Sequence, residues 1–386
     1  MDSLVITGYG VKCNNGYNKQ HFKESLEQGR FDLSYFQSTS GSQVVVGRVP
    51  DEELGEFQKS RYSRVTKLGL AATKEAIEMA NIPRDPTLRI TVIFASAAGP
   101  TEETVLTNER CFNQNFKKYP LLGIGLMSYH SIASAVIGEF QVGSKAFTAV
   151  SGCNSSSDAL YIAKILLDSN QTDICIVGGA DAPICEPVLY GFEKLRISET
   201  NTCIEEAGVP FSNRDKFVIA EGAGVLIIEK ESTADSRKAT KYGTLIDVDT
   251  INDGLSAYIS DKTGTKMIDV VKSVTDGKTP TYINSQALGL INNDSIEMKV
   301  RDTIFHNSIP ITSIKGVTGH PFGAAGILQI ISSLLSIEYS FIPRVKVNDK
   351  TEDLDIVSET VYTDVHSVCI TTHGFGGNSS CVLVGR

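Results

Sequence analysis

FTAVSGCNSSSDALYIAKILL, residues Phe147 to Leu167, changes character at its middle. Up to Val150 the run is apolar and β-prone, and Ser151, Gly152 and Cys153 then break it. From Ser157 onward Ala159, Leu160, Ile162, Ala163, Leu166 and Leu167 recur at helical spacing. The pattern predicts a buried strand, a tight turn and a buried helix, with Cys153 at the helix N-terminus. Unpaired N–H groups and a partial positive charge there favour a thiolate over a thiol and stabilise negative charge developing nearby.

The surrounding chain reads as alternating strands and helices. Met1 to Tyr9 is a predicted strand ending at a Gly8/Gly10 turn, with a helix near 18–28. Helices are expected over 61–81, 101–119 and 126–138, and strands over 90–95, 145–150, 173–177 and 222–230, the 173–177 strand closing at Gly178 and Gly179. Such alternation without a Pro- or Ser-rich linker predicts one compact α/β unit with buried sheets. A faint internal repeat supports this. SGCNSSSDALYIAKILL, with Cys153, faces TGHPFGAAGILQIISSLL, with His320, and DICIVGGA at 173–180 faces VCITTHGFGG at 368–377. A pseudo-two-fold relation between the repeats would point Cys153 and His320 into one site.

Composition narrows the chemistry. The chain has 386 residues, 41% hydrophobic and 21% charged, the profile of an ordinary globular protein. A net charge of -9 with no basic run argues against a nucleic-acid surface. Eight cysteines without CxxC spacing suggest reduced thiols in the cytoplasm and no metal site. No signal-peptide pattern and no apolar run long enough to cross a membrane are expected.

Six segments together carry a specific resemblance: LVITGYG at 4–10, SRVTKLGLAATKEA at 63–76, the Cys153 stretch, PFSNRDKFVIAEGAGVLIIE at 210–229, KGVTGHPFGAAG at 315–326 and HGFGGNSS at 373–380. In order and spacing the chain resembles the β-ketoacyl-acyl-carrier-protein synthases, the type II ketosynthases of the thiolase fold. The resemblance implies a five-layered αβαβα sandwich of two pseudo-symmetric halves, 1–240 with the nucleophile and 241–386 with His320 and the GFGG loop. It implies an acyltransferase without a cofactor, whose partners are an acyl carrier protein and a second subunit, either its own copy or a ketosynthase-like chain. The strand before the nucleophile, near Lys145 to Val150, would form that contact.

Residue by residue, Cys153 matches the nucleophile that accepts an acyl group as a thioester. Its own N–H and that of Phe375 would hold the oxyanion, with Gly374 and Gly376 shaping the loop and the Phe375 ring acting as a gate. His320 matches a donor to the extender thioester carbonyl. Lys315 matches a nearby lysine, and Glu221 the buried acid paired with it. His130 falls in a segment that lines the acyl pocket or the dimer contact.

One stretch departs from the pattern. INSQALGLINNDSIE at 283–297, anchored by Asp294 and Glu297, puts Gln286 where the family carries a second histidine. An amide can donate a hydrogen bond but cannot shuttle a proton or carry charge. Decarboxylation of a malonyl thioester is therefore expected to be slow, unless His373, just before the GFGG turn, substitutes as a base. Three readings follow: a specialised condensing enzyme of a polyketide-like or fatty-acid-like pathway; a non-decarboxylating transferase forming a C–N or C–O bond; and a non-catalytic partner subunit of the chain-length-factor kind.

Overall fold

The computed structural model describes residues 2–386 except Arg84, Pro86, Asn115, Tyr258, Ile259, Lys350 and Glu352. Met1 and Asn115, included in the expected first strand and the 101–119 helix, thus lie outside the described residues.

The first sheet contains β1 (Leu4–Cys13), β2 (Ile90–Ala95), β3 (Lys145–Ala149), β4 (Ile174–Asp181) and β5 (Gly222–Lys230). The second contains β6 (Gly243–Asn252), β7 (Tyr282–Asn284), β8 (Ile311–Thr312), β9 (Ser367–His373) and β10 (Asn378–Gly385). In space the first runs β1-β5-β4-β2-β3 and the second β6-β10-β9-β7-β8, so each strand has a counterpart five strands later. Strand directions repeat as well: two antiparallel pairings, then two parallel ones. The sheets meet where Leu4 to Ile6 pairs antiparallel with Gly243 to Leu245.

The helices of ten or more residues are α1 (Lys19–Gln28), α2 (Arg64–Ala80), α3 (Thr101–Gln114), α4 (Ser131–Phe140), α5 (Ser155–Asp168), α6 (Thr265–Thr275), α7 (Ile291–Phe305) and α8 (Ala325–Tyr339) among the described residues. Helices α2 and α4 cover the outer face of the first sheet, α5 and α8 lie between the sheets, and α6, with α7 against it, covers the second. This is the thiolase-like layering. Every residue of α8 from Ala325 to Ile337 is buried, and its serines are satisfied within the helix, Ser333 Oγ donating to Gln329 O at 2.8 Å.

Three expectations need correction. Glycine does not end β1 or β4; both strands run on, to Cys13 and to Asp181. Close packing explains this: a Cβ at Gly8 would lie 2.5 Å from Ala76 O in α2, and one at Gly179 would lie 2.5 Å from Ser156 Oγ in α5. The repeat also has a different register. The turn Gly152–Asn154 leads into α5 and the turn Phe322–Ala324 into α8, which sets Cys153 opposite Gly323 rather than His320. Their first residues share left-handed backbone, φ 68° at Gly152 and 42° at Phe322. Finally, one segment, Phe322–Tyr339, is long and apolar enough to cross a membrane, but 89% of it is buried between the sheets as the core helix.

Candidate active site

The two turns are brought together by small residues. Ser156 Oγ donates to Gly323 O, and a Cβ at Gly326 would lie 3.2 Å from Ser156 Cβ, so the N-termini of α5 and α8 touch. His320, three residues before Gly323, is tied to the strand region of the first half by its N–H to Val218 O at 2.8 Å. Its Nε2 lies 3.1 Å from Cys153 Sγ. The imidazole is wedged between Phe217 and Phe322, with ring centroids 5.5 and 5.3 Å away. Among the described residues His320 Nδ1 has no hydrogen-bond partner. A buried N–H without an acceptor costs more than a lone pair without a donor, so the proton belongs on Nε2, facing the sulfur.

Burial sets the protonation states. It pushes the Cys153 thiol up to about 12, helped by the Asp181 charge; Lys315 and the cysteine's own N–H pull the other way. The lowered thiol expected at a helix N-terminus is therefore not found, because desolvation outweighs the helix end. His320 is held well below the usual histidine range by burial, with further contributions from Lys315 and His373, and is neutral. Lys315 is pushed down to about 7 by burial, opposed by Cys153 and Glu297.

Glu221 does not partner Lys315. Its carboxylate accepts from Arg64 Nε at 2.7 Å, Arg64 Nη2 at 2.5 Å and the Val49 N–H at 2.7 Å. The strand pleat explains the error: Ala220 faces Gly319 and the His320 turn, so its neighbour Glu221 points to the opposite face, toward α2. Lys315 Nζ instead donates to Gln329 Oε1 at 2.9 Å. Gln329 is fixed by its own Nε2, which reaches Asn284 O, Ser285 O and Thr371 O at 3.0 to 3.2 Å. Sequence reasoning missed Gln329, because Lys315 lies before the turn that opens α8 and no helical spacing links the two.

The GFGG loop closes over Cys153. A Cβ at Gly374 would lie 3.1 Å from Cys153 Cβ, so any side chain there would crowd the cysteine. Gly376 has φ 84° and its carbonyl accepts from Asn252 Nδ2 at 2.7 Å. Phe375 is 54% exposed at the mouth of a cavity of about 420 Å³ that Cys153, Gln286, His320, His373 and Phe322 line below. Gln286 is fully buried; its Nε2 donates to His373 O at 3.4 Å, and among the described residues its Oε1 has no partner. His373 Nε2 lies 3.2 Å from Glu297 Oε1, close but not aligned as a hydrogen bond. Glu297 also accepts the Gln286 N–H at 3.2 Å and the Thr371 hydroxyl at 2.7 Å. Asp294, pushed up to about 7 by burial, accepts the N–H groups of Leu288 at 2.9 Å and Phe211 at 2.6 Å and so shapes the loop after Gln286.

His130 is not brought to this cavity. It is exposed, its Nδ1 lies 2.6 Å from Ser128 Oγ, and it lines a separate cavity of about 580 Å³ with Arg61, Tyr62 and Leu126. Asp181, which sequence reasoning also missed, is the site's main fastener. It accepts Ser96 Oγ at 2.7 Å, the Ala97 and Ala98 N–H groups at 2.8 Å and the Gly323 N–H at 2.7 Å.

Comparison with known proteins identifies the family. The profile described as Beta-ketoacyl synthase, N-terminal domain, matches residues 1–234, and its C-terminal counterpart matches 242–347. The tetracenomycin polyketide synthase ketoacyl synthase alpha subunit of Streptomyces glaucescens is 27% identical, over 99% of this chain and 97% of that protein. A 3-oxoacyl-[acyl-carrier-protein] synthase 1 of Buchnera aphidicola is 25% identical, over 100% and 99%. Among solved structures, a type II polyketide ketosynthase in complex with its acyl-carrier protein superposes with TM-score 0.91 at 23% identity, over 100% and 99% of the chains. A ketosynthase with its chain length factor from Xenorhabdus doucetiae does so with TM-score 0.85 at 22%, over 100% and 98%. With the fold, the paired helix-opening turns and both profiles in agreement, the chain belongs to the beta-ketoacyl synthase family, ketosynthase-type condensing enzymes of polyketide and fatty-acid synthesis.

Proposed function

We propose that this chain accepts an acyl group on Cys153 and passes it to a carrier-bound acceptor, by condensation in a specialised polyketide-like or fatty-acid-like pathway. The observation that carries the reading is the 3.1 Å contact of Cys153 Sγ with His320 Nε2 beneath the GFGG loop. In the first half-reaction the thiolate fraction of Cys153, held by the His320 Nε2–H, attacks an acyl thioester carbonyl. The tetrahedral oxyanion rests by the N–H groups of Cys153 and Phe375. The bond from carbonyl carbon to carrier sulfur then breaks, and the carrier thiolate leaves with the proton that the Cys153 thiol gave up. In the second half-reaction His320 offers the same N–H to the acceptor's thioester carbonyl. Lys315 supports the thiolate through its charge, oriented by Gln329.

A second reading, C–N or C–O transfer without decarboxylation, is favoured by the neutral amide of Gln286 in the cavity wall. A non-catalytic subunit would have no use for the Cys153–His320 contact. The free edge of the assembly fits a subunit contact: β3 pairs with β2, and Phe147 and Val150 are 44% and 55% exposed. We assign this edge to a second copy or a ketosynthase-like partner, within the cytoplasm. Sizing at micromolar concentration should give a dimer, and a monomer there counts against the assignment.

The functional test is a two-stage chase. Protein loaded from an acyl thioester is mixed with malonyl carrier or with an amine, and the product is identified. Carbon–carbon product with released carbon dioxide supports condensation; amide or ester product without it supports the second reading.

A further inference from the structure

Condensation consumes one proton. When a malonyl thioester loses carbon dioxide, the carbon–carbon bonding pair becomes an enolate with its charge on the thioester oxygen. The enolate carbon attacks the Cys153 thioester carbonyl, the carbon–sulfur bond breaks, and the cysteine leaves as a thiolate. With its thiol pushed up to about 12, that sulfur must regain a proton before the next cycle. Neutral His320 cannot give up its only proton without becoming an anion, and Gln286 cannot give one at all.

We infer that His373, backed by the Glu297 carboxylate, is the proton donor of the second half-reaction and occupies in function the place that Gln286 leaves vacant. The inference rests on the condensing reading above. Its grounds are geometric. His373 ends β9, is 7% exposed and lines the cavity with Cys153 and His320. Its Nε2 is 3.2 Å from Glu297, whose other contacts are a hydroxyl and an amide N–H rather than a cation. Among the described residues no lysine or arginine contacts this buried carboxylate, on which Lys315 acts through its charge alone, so it can hold the charge of an imidazolium. The nitrogen facing Glu297 must carry hydrogen, so the proton to be given is the one on Nδ1. Contacts of this kind tighten when substrate is bound. In the step, the His373 imidazolium stabilises the enolate oxygen as carbon dioxide leaves and then gives its Nδ1 proton to the departing Cys153 sulfur. Solvent protonates the ring again.

Several groups other than Glu297 face the ring. Cys153 and His320 share the cavity; Lys315 lies behind them, acting on both; Asp253, Asp261 and Lys262 line it and its neighbour from the loop between β6 and α6, Lys266 from α6, and Asp215 from the far wall. Lys315, pushed down to about 7, changes charge within the range measured below, so a pH profile of the parent alone cannot identify His373, whereas a limb lost on substitution can.

The experiment measures Cys153 acylation by intact mass, and chase with labelled malonyl carrier by carbon dioxide release, from pH 5.5 to 9, on the parent and on His373→Gln and His373→Asn. In the parent, transfer should fall as pH rises while loading increases. In both variants transfer should drop about a hundredfold more than loading does, and the residual transfer should lose its alkaline fall. Transfer within threefold of the parent with the same pH limb overturns the inference. So does equal loss of loading and transfer in both variants, which would make His373 a support of the whole site. A parent protein that never acylates Cys153 rejects the condensing reading itself, a result distinguishable because it precedes the chase.

Discussion

Glu221 and Glu297 are both fully buried carboxylates, and their surroundings differ in kind. Glu221 is clamped by two nitrogens of Arg64 and a backbone N–H on the outer face of the first sheet, with Asp51 on the same guanidinium at 2.6 Å. Every oxygen there is used, and no cavity reaches a reacting atom. Glu297 meets a hydroxyl, an amide and an imidazole that opens onto the Cys153 cavity. A closed ion pair stabilises or strains a fold; a carboxylate behind an unpaired imidazole can hold a proton in transit. The sequence motif around Glu221 is the more eye-catching of the two, yet the pleat of one strand directs it away from the chemistry.

The largest effect should appear at the catalytic end of this comparison. Cys153→Ala should abolish acyl loading while leaving the fold within about 1 kcal/mol, since only a sulfur is removed. Near-normal turnover would show that the Glu297 side of the molecule is not a covalent site. At the structural end, Arg64→Ala leaves Glu221 buried and unpaired, and should cost about 3–5 kcal/mol in urea unfolding. Loading and transfer, per folded molecule, should fall together. A selective loss of transfer would move Glu221 into the active site after all.

Two smaller effects sharpen the contrast. Because burial pushes the Cys153 thiol up to about 12, its alkylation by iodoacetamide should rise close to tenfold per pH unit between about pH 7 and 9, followed on the Cys153 peptide. A plateau below pH 8 would contradict the raised thiol. Lys315 comes last. Its folded value, about 7, lies below the unfolded one, so between these values the unfolded chain binds more protons and stability rises with pH. Against Lys315→Met, the parent should therefore gain on the order of 3 kcal/mol from pH 6.5 to 9.5. If Glu221 were its partner, the substitution would instead destabilise the protein at every pH.

Much of this was legible in the chain. Apolar runs flanked by helical periodicity mark β2, β5 and α5 with nearly correct limits, and the repeat correctly implies two halves of one plan. Cys153, His320 and the GFGG loop come together because each sits on a turn that glycine or another small residue marks in the sequence. What failed was whatever depends on direction rather than position. Glycines that looked like strand ends are contact points for helices, Glu221 faces away, and His130 lines another cavity. Gln329, Asp181 and the setting of Glu297 depend on partners 14 to 142 residues distant, which no local pattern reports.

The most direct measurement is the intact mass of the protein after incubation with an acyl thioester, with the modified peptide then sequenced. The account predicts one acyl group per chain, on Cys153, absent from Cys153→Ala and discharged by a carrier-bound acceptor. An unmodified parent, or an acyl group resident on the exposed thiol of Cys203 instead, would contradict it.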